Sequence, residues 1–234
     1  MFTRKRKLLD IDRQDLVRLV TEMGRLAAQQ ITHTLDALAK RNVALAAQVI
    51  DRDAILDTFQ VNIERKASNI IAQHPAIPIA REVISAMQIA HDLERLGDLA
   101  KNISKRIIVI GGENLPEHMI SALENMTRSV LRQVNMALNS YVKRDINEAL
   151  AVWNSDRQID ALNNALFRET LAYTREEKQS ISACTQILFC VKNLERAGDH
   201  ATNIAELVHY TITGHLPVGQ RPKENVADFA KLSA

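Results

Sequence analysis

Eight carboxylates recur as four pairs spaced four residues apart: Asp53 with Asp57, Glu94 with Asp98, Asp156 with Asp160, and Glu195 with Asp199. An α-helix turns about 100° per residue, so each spacing of four puts both acids on one helix face. Like charges so placed destabilise a helix by about 0.2–0.5 kcal/mol per pair. A merely solvated face would set Lys or Arg opposite each acid. If the helices carrying two such pairs lie side by side, four carboxylates share one groove, with the oxygen of Asn102 or Asn203 near it. That is a hard, oxygen-rich donor set suited to Mg²⁺, Mn²⁺, Ca²⁺ or iron, where a divalent ion removes the repulsion. One pair alone reads as ordinary surface charge, but matched pairs on matched helices favour metal binding.

Gly97 and Gly198 each stand directly before the second acid of a pair. Glycine inside a helix costs about 0.5–1 kcal/mol relative to alanine, so close approach of a neighbouring element or of the metal surroundings must offset it. Glu206 falls on the same side as Glu195 and Asp199 and is a possible further ligand, whereas the matching position of the other set is Lys105. The segment Glu206-Leu207-Val208-His209 has the spacing of di-iron carboxylate proteins, but those need two such motifs and only one is present. His91 lies on the acidic face, and its alternatives are ligand or solvated side chain. His200 has Leu99 as its counterpart.

Other chemistry is missing. No phosphate-binding Gly-x-x-x-x-Gly-Lys loop, Gly-x-Gly-x-x-Gly turn, His-Glu-x-x-His or Gly-x-Ser-x-Gly motif occurs. Paired carboxylates can activate water, so a metal-dependent hydrolase of a phosphate compound is the alternative function. No nucleophile or substrate-binding arginine cluster is legible beside them.

The elements that must position these acids follow from periodicity and punctuation. Ile89, Leu93, Leu96, Ala100, Ile103, Ile107 and Ile110 recur at spacings of four and three, a bundle-packing seam, and Leu194, Ala197, Ala201, Ile204 and Val208 repeat it. Glu94, Asp98 and Asn102, like Glu195, Asp199 and Asn203, turn away from that seam and are expected to be exposed. Ile55, Phe59 and Ile63, and Ile159, Leu162 and Leu166, point away from the remaining acids. Six helices are predicted over 12–41, 43–73, 77–110, 117–143, 145–174 and 177–213, separated by Pro75 and Pro78, by Gly111-Gly112 with Pro116, and closed by Gly214 and Pro217. Short joints imply antiparallel neighbours.

Sliding the chain against itself shows why the pairs match. At an offset of 103, Met23, Leu35, Lys40, Arg41, Val49, Asp53 and Asp57 meet Met126, Leu138, Lys143, Arg144, Val152, Asp156 and Asp160. At an offset of 101, Leu93-Glu94-Arg95-Leu96-Gly97-Asp98 meets Leu194-Glu195-Arg196-Ala197-Gly198-Asp199. The predicted fold is all-α: two tandem, pseudo-symmetric three-helix bundles over 1–111 and 112–215, then a tail over 216–234 that is either mobile or forms a small helix from Val226.

Composition agrees. Seven glycines and five prolines in 234 residues, with 4% aromatics, suit few long elements rather than many short strands. Net charge is +2, and Arg4, Lys5, Arg6 and Lys7 leave the remaining body at −2, which argues against nucleic-acid binding. That basic head is either a solvated, frayed terminus or a contact for anionic lipid or an acidic partner. The longest aliphatic run, Ile107 to Ile110, cannot span a bilayer, and the N-terminus lacks a signal-peptide apolar stretch, so a cytoplasmic protein is expected. Cys184 and Cys190, six apart in a helix, face different directions and read as reduced core residues.

The segments from Asp92 to Ile103 and from Leu194 to Glu206, in a duplicated three-helix chain, closely resemble the PhoU family, over about residues 10 to 215. The resemblance implies two bundles, each with Asp/Glu-xxx-Asp motifs binding a metal ion or cluster at the surface, here Asp53, Asp57, Glu94 and Asp98, then Asp156, Asp160, Glu195 and Asp199. The metal is left open among Mg, Mn, Zn and Fe. It further implies a cytoplasmic, commonly dimeric, non-enzymatic protein that represses the phosphate-starvation response. Its partners would be the ATPase subunit of the phosphate ABC transporter and a membrane sensor histidine kinase, so membrane association would be peripheral. Lys105 against Glu206, and Leu99 against His200, argue against equal occupancy of the two sites.

Overall fold

In a computed structural model, residues 2–113, 115–176, 181–219 and 221 are described, and among them all regular structure is helical. The helices are α1 (Phe2–Ala39), α2 (Val43–Asp51), α3 (Asp53–Gln73), α4 (Ile77–Ile110), α5 (Glu117–Lys143), α6 (Ile146–Asn154), α7 (Asp156–Glu176) and α8 (Ile181–Thr213). The third and fourth predicted helices have the bounds of α4 and α5. The backbone of α1 is helical from Phe2, so the basic head continues the first helix instead of preceding it. The predicted start at 177 and the small tail helix from Val226 lie outside the described residues.

The larger difference is in the second and fifth predicted helices, which are each interrupted at a single residue, Arg52 and Ser155. Both have ψ near zero, and the amides of Ile55 and Gln158 bond three residues back to Arg52 O and Ser155 O. A glutamine from the neighbouring helix is tied into each break. Gln30 Nε2 donates to Arg52 O at 3.2 Å, and Gln133 Nε2 donates to Ser155 Oγ at 2.9 Å. The helical spacing of buried positions continues across both breaks, from Val49 through Asp53 to Leu56 and from Val152 through Asp156 to Ile159, so spacing alone gave no sign of them. Each break makes an acid, Asp53 or Asp156, the first residue of a new helix, where the amide dipoles favour negative charge.

Joints repeat as well. Arg41 and Arg144, 103 apart, end α1 and α5 in the left-handed region (φ 51° and 53°), and the next amide reaches back to Ala37 O at 2.8 Å and Ser140 O at 3.0 Å. These bonds satisfy carbonyls that a helix end would otherwise leave open. Asn42 and Asp145 then cap α2 and α6. Pro78 sits in the first turn of α4, where its missing N–H is harmless.

Helices α1 to α4 form one bundle and α5 to α8 the other, joined side by side through α4 with α8 and α1 with α5. Every residue of the two predicted seams is buried, from Ile89 to Ile110 and from Leu194 to Val208. On α3 the core position is Leu56, fully buried, whereas Ile55 is 44% exposed. Among the described residues, no helix is long and apolar enough to cross a membrane.

Candidate acidic cation sites in the two bundles

In each bundle the broken helix lies against the long one that carries the second acid pair. Gly97 makes this possible in the first bundle, because a Cβ there would stand 2.2 Å from Leu56 Cδ1 and 3.2 Å from Gln30 Oε1. Gly198 faces Ile159 Cγ2 at 3.2 Å and Gln133 Oε1 at 3.3 Å. The glycines therefore serve helix packing, one turn away from the breaks that Gln30 and Gln133 hold. These two glutamines are identical at the repeat offset, which is the signal that could have found them.

The acids expected on the outside are partly or wholly withdrawn from water. Asp53 and Asp156 are buried, Glu94, Asp98, Asp160, Glu195 and Asp199 are half-buried, and Asp57 alone is exposed. The reason is that α3 and α7 lie against the faces of α4 and α8 that carry the acids, turning a surface stripe into a groove. Burial, reinforced by the charge of Asp98, pushes the Glu94 carboxyl above its ordinary range, with Asp57 near enough to add to it. Burial likewise pushes Asp156 up, opposed by a bonded arginine and reinforced by Asp160 and Asp199.

Each groove holds a cation from this same chain. In the first, the Lys101 ammonium donates to Asp53 and lies 3.9 Å from Asp98 Oδ1. The bond to Asp53 raises the Lys101 pKa, helped by the nearby charges of Asp98 and Asp57. In the second, Thr202 occupies the place of Lys101, and the cation arrives from beyond α8. Arg221 sets its Nε 2.9 Å from Asp156 Oδ2 and one terminal nitrogen 2.8 Å from Asp199 Oδ1. Asp53 matches Asp156 and Asp98 matches Asp199, so the two cations bridge equivalent acids. Arg221 lies outside the repeat, and self-comparison could not have revealed it.

As folded, no three His, Cys, Asp or Glu side chains among the described residues converge closely enough to hold a metal ion. The donor chemistry nevertheless suits a hard cation. The buried oxygens Glu94 Oε2 and Glu195 Oε2 accept no hydrogen bond, and their ion pairs are to neighbours on their own helices, Arg95 at 3.1 Å and Lys192 at 2.7 Å. The further candidates have other contacts. Asn203 Nδ2 donates to Asp92 Oδ1 at 3.4 Å, Glu206 accepts from the Trp153 indole at 2.9 Å, and Asn102 is half-buried. His91 is exposed, its charge lowering the Glu94 pKa. His200 Nδ1 pairs across the bundles with Asp92 at 2.8 Å, and His209 Nδ1 with His215 O at 2.8 Å, so Glu206 and His209 have different partners.

Comparison with known proteins places this architecture. The family model described as the PhoU domain matches residues 20–107 and again 123–208, one match per bundle. The chain is 42% identical over 212 residues to the phosphate-specific transport system accessory protein PhoU homolog of Rhizobium meliloti, covering 90% of each chain. It is 41% identical over 208 residues to the Caulobacter vibrioides homolog of the same name, covering 88% of this chain and 90% of that one. Among solved structures, PhoU from Pseudomonas aeruginosa superimposes with a TM-score of 0.83 at 31% identity, over 88% of this chain and 99% of that one. The phosphate transport system regulatory protein PhoU from Streptococcus pneumoniae gives 0.83 at 28% identity, over 89% and 99%.

Proposed function

Because the chain belongs to the PhoU family, we propose that it is a non-enzymatic accessory protein of phosphate transport that represses the phosphate-starvation response when phosphate is plentiful. The observation that carries this reading is the family match over both bundles, together with relatives covered along nine-tenths of their length that are named as accessory proteins. On this reading the protein works in the cytoplasm, as a homodimer, coupling the ATPase subunit of the phosphate ABC transporter to a sensor histidine kinase.

The acidic grooves belong to the same reading as regulatory or structural metal sites. Asp53, Asp57, Glu94 and Asp98 would hold one divalent or iron-type ion, and Asp156, Asp160, Glu195 and Asp199 the other. When bound, such an ion supplies charge neutralisation, relieving the repulsion that the chain's own cations otherwise offset. The protein's part is to hold the acids: Gln30 and Gln133 fix the breaks that place Asp53 and Asp156 at helix starts, and Gly97 and Gly198 bring the helices together.

The test is to crosslink the purified chain to the transporter ATPase subunit and to the kinase's cytoplasmic region, and to assay the same preparation for phosphatase turnover. Specific crosslinks without turnover are expected. Turnover abolished by Asp98→Ala would replace the adaptor with a metal-dependent hydrolase.

A further inference from the structure

The two acidic grooves differ in where their cation is rooted. Lys101 is part of α4, its backbone fixed by the buried seam residues Ala100 and Ile103 on either side, so its ammonium cannot leave Asp53 by more than a side-chain rotation. Arg221 reaches Asp156 and Asp199 from the chain beyond the end of α8 at Thr213. The path between them turns at Gly214 and Gly219, both in the left-handed region (φ 85° and 115°), and a Cβ on Gly219 would lie 3.9 Å from the Trp153 ring. No helical hydrogen bonds hold Leu216 to Gly219, and Leu216 and Val218 are 57% and 98% exposed.

Arg221 is the cation that meets the buried Asp156. Asp156 is 2% exposed, and its oxygens meet Arg221 Nε and a terminal nitrogen, with the Thr202 hydroxyl at 3.4 Å from Oδ1. The same terminal nitrogen also reaches Asp199 O at 3.4 Å. Thr202 Oγ1 donates to Gly198 O at 3.2 Å as well, so it offers Asp156 little. A buried carboxylate beside Asp160 and Asp199 requires a countercation, and position 202 no longer supplies one.

The geometry points to Arg221 as a built-in, exchangeable countercation of the second groove: a divalent metal ion competes with it for Asp156 and Asp199, and metal binding there releases Arg221 and, with it, residues 214–219. The first groove, with its cation on a helix, has no such release. The two sites therefore differ in function, the second coupling its occupancy to the position of the C-terminal segment. This inference rests on the metal reading above, and the following experiment separates their failures.

Mn²⁺ is titrated calorimetrically into the full chain and into Arg221→Gln, with and without Asp156→Asn, while hydrogen exchange is followed at the amides of Gly214, His215, Leu216, Val218, Gly219 and residue 221. Arg221→Gln is expected to tighten Mn²⁺ binding tenfold or more, Asp156→Asn is expected to abolish that gain, and Mn²⁺ is expected to speed exchange in the wild-type segment. Thr202→Lys, which puts the first groove's ammonium into the second, should weaken Mn²⁺ binding in the Arg221→Gln background. Mn²⁺ binding of unchanged affinity in Arg221→Gln, or unchanged exchange on binding, overturns the inference and leaves the metal reading standing. No Mn²⁺ binding to any of these proteins overturns both.

Discussion

Gly97 lies so close to Leu56 that a Cβ built on it would stand 2.2 Å from the leucine's Cδ1. Leu56 is fully buried, so it cannot step aside without disturbing the core. Gly97→Ala gains up to about 1 kcal/mol of helix propensity but overpacks a filled site, at about 1–3 kcal/mol. Net destabilisation is expected, read as a lower urea midpoint with an unchanged slope. Gly198→Ala meets its nearest neighbour at 3.2 Å and should be close to neutral in the same titration.

Removing the fixed cation of the first groove should show what it neutralises. Lys101→Gln leaves Asp53, whose side chain is only 10% exposed, without its ammonium partner. The lysine side chain is 30% exposed, so water screens part of the interaction, and a loss of about 1–2 kcal/mol is expected instead of the full cost of a buried broken pair. Adding Asp53→Asn should recover more than half of the loss. Chemical denaturation of the two variants decides it.

Arg41 holds a left-handed conformation, at φ 51°, where a side chain costs about 1 kcal/mol and glycine costs none. Its side chain is exposed. Arg41→Gly should therefore raise stability by about 0.5–1 kcal/mol, visible as a higher thermal midpoint. Arg144→Gly relieves the same backbone but loses the Arg144–Glu82 ion pair at 3.3 Å, so it should gain less.

The cysteines offer a check on the core of the second bundle. Cys184 and Cys190 are both 1% exposed, and burial pushes the Cys190 thiol up to about 12 against a small opposing influence from Arg106. A thiol so far above neutral pH presents almost no thiolate. Neither cysteine should be alkylated by iodoacetamide in the native protein at pH 8, and both should be in denaturant, as mass spectrometry will show.

How much of this was legible in the sequence varies by level. The seam from Ile89 to Ile110 and its repeat were readable because burial on one helix face leaves a period, and both are buried throughout. The acid pairs were readable as pairs. Their withdrawal from water was not, because periodicity within one helix does not say which helix lies over its polar face. The breaks at Arg52 and Ser155 were hidden for a related reason: the glutamines tied into them come from α1 and α5, and nothing near Arg52 or Ser155 in sequence announces them. Arg221 was read as part of an unassigned tail, since only the fold brings it to Asp156.

Loss of a regulator should be felt in gene expression and not in a missing reaction. The direct measurement is the output of a phosphate-starvation reporter in phosphate-rich medium, in cells lacking this gene and in the same cells carrying it on a plasmid. The reporter is expected to be on despite ample phosphate when the gene is absent and off when it is restored. A reporter that stays off without the gene, responding to phosphate as in the parent, would contradict the regulatory role.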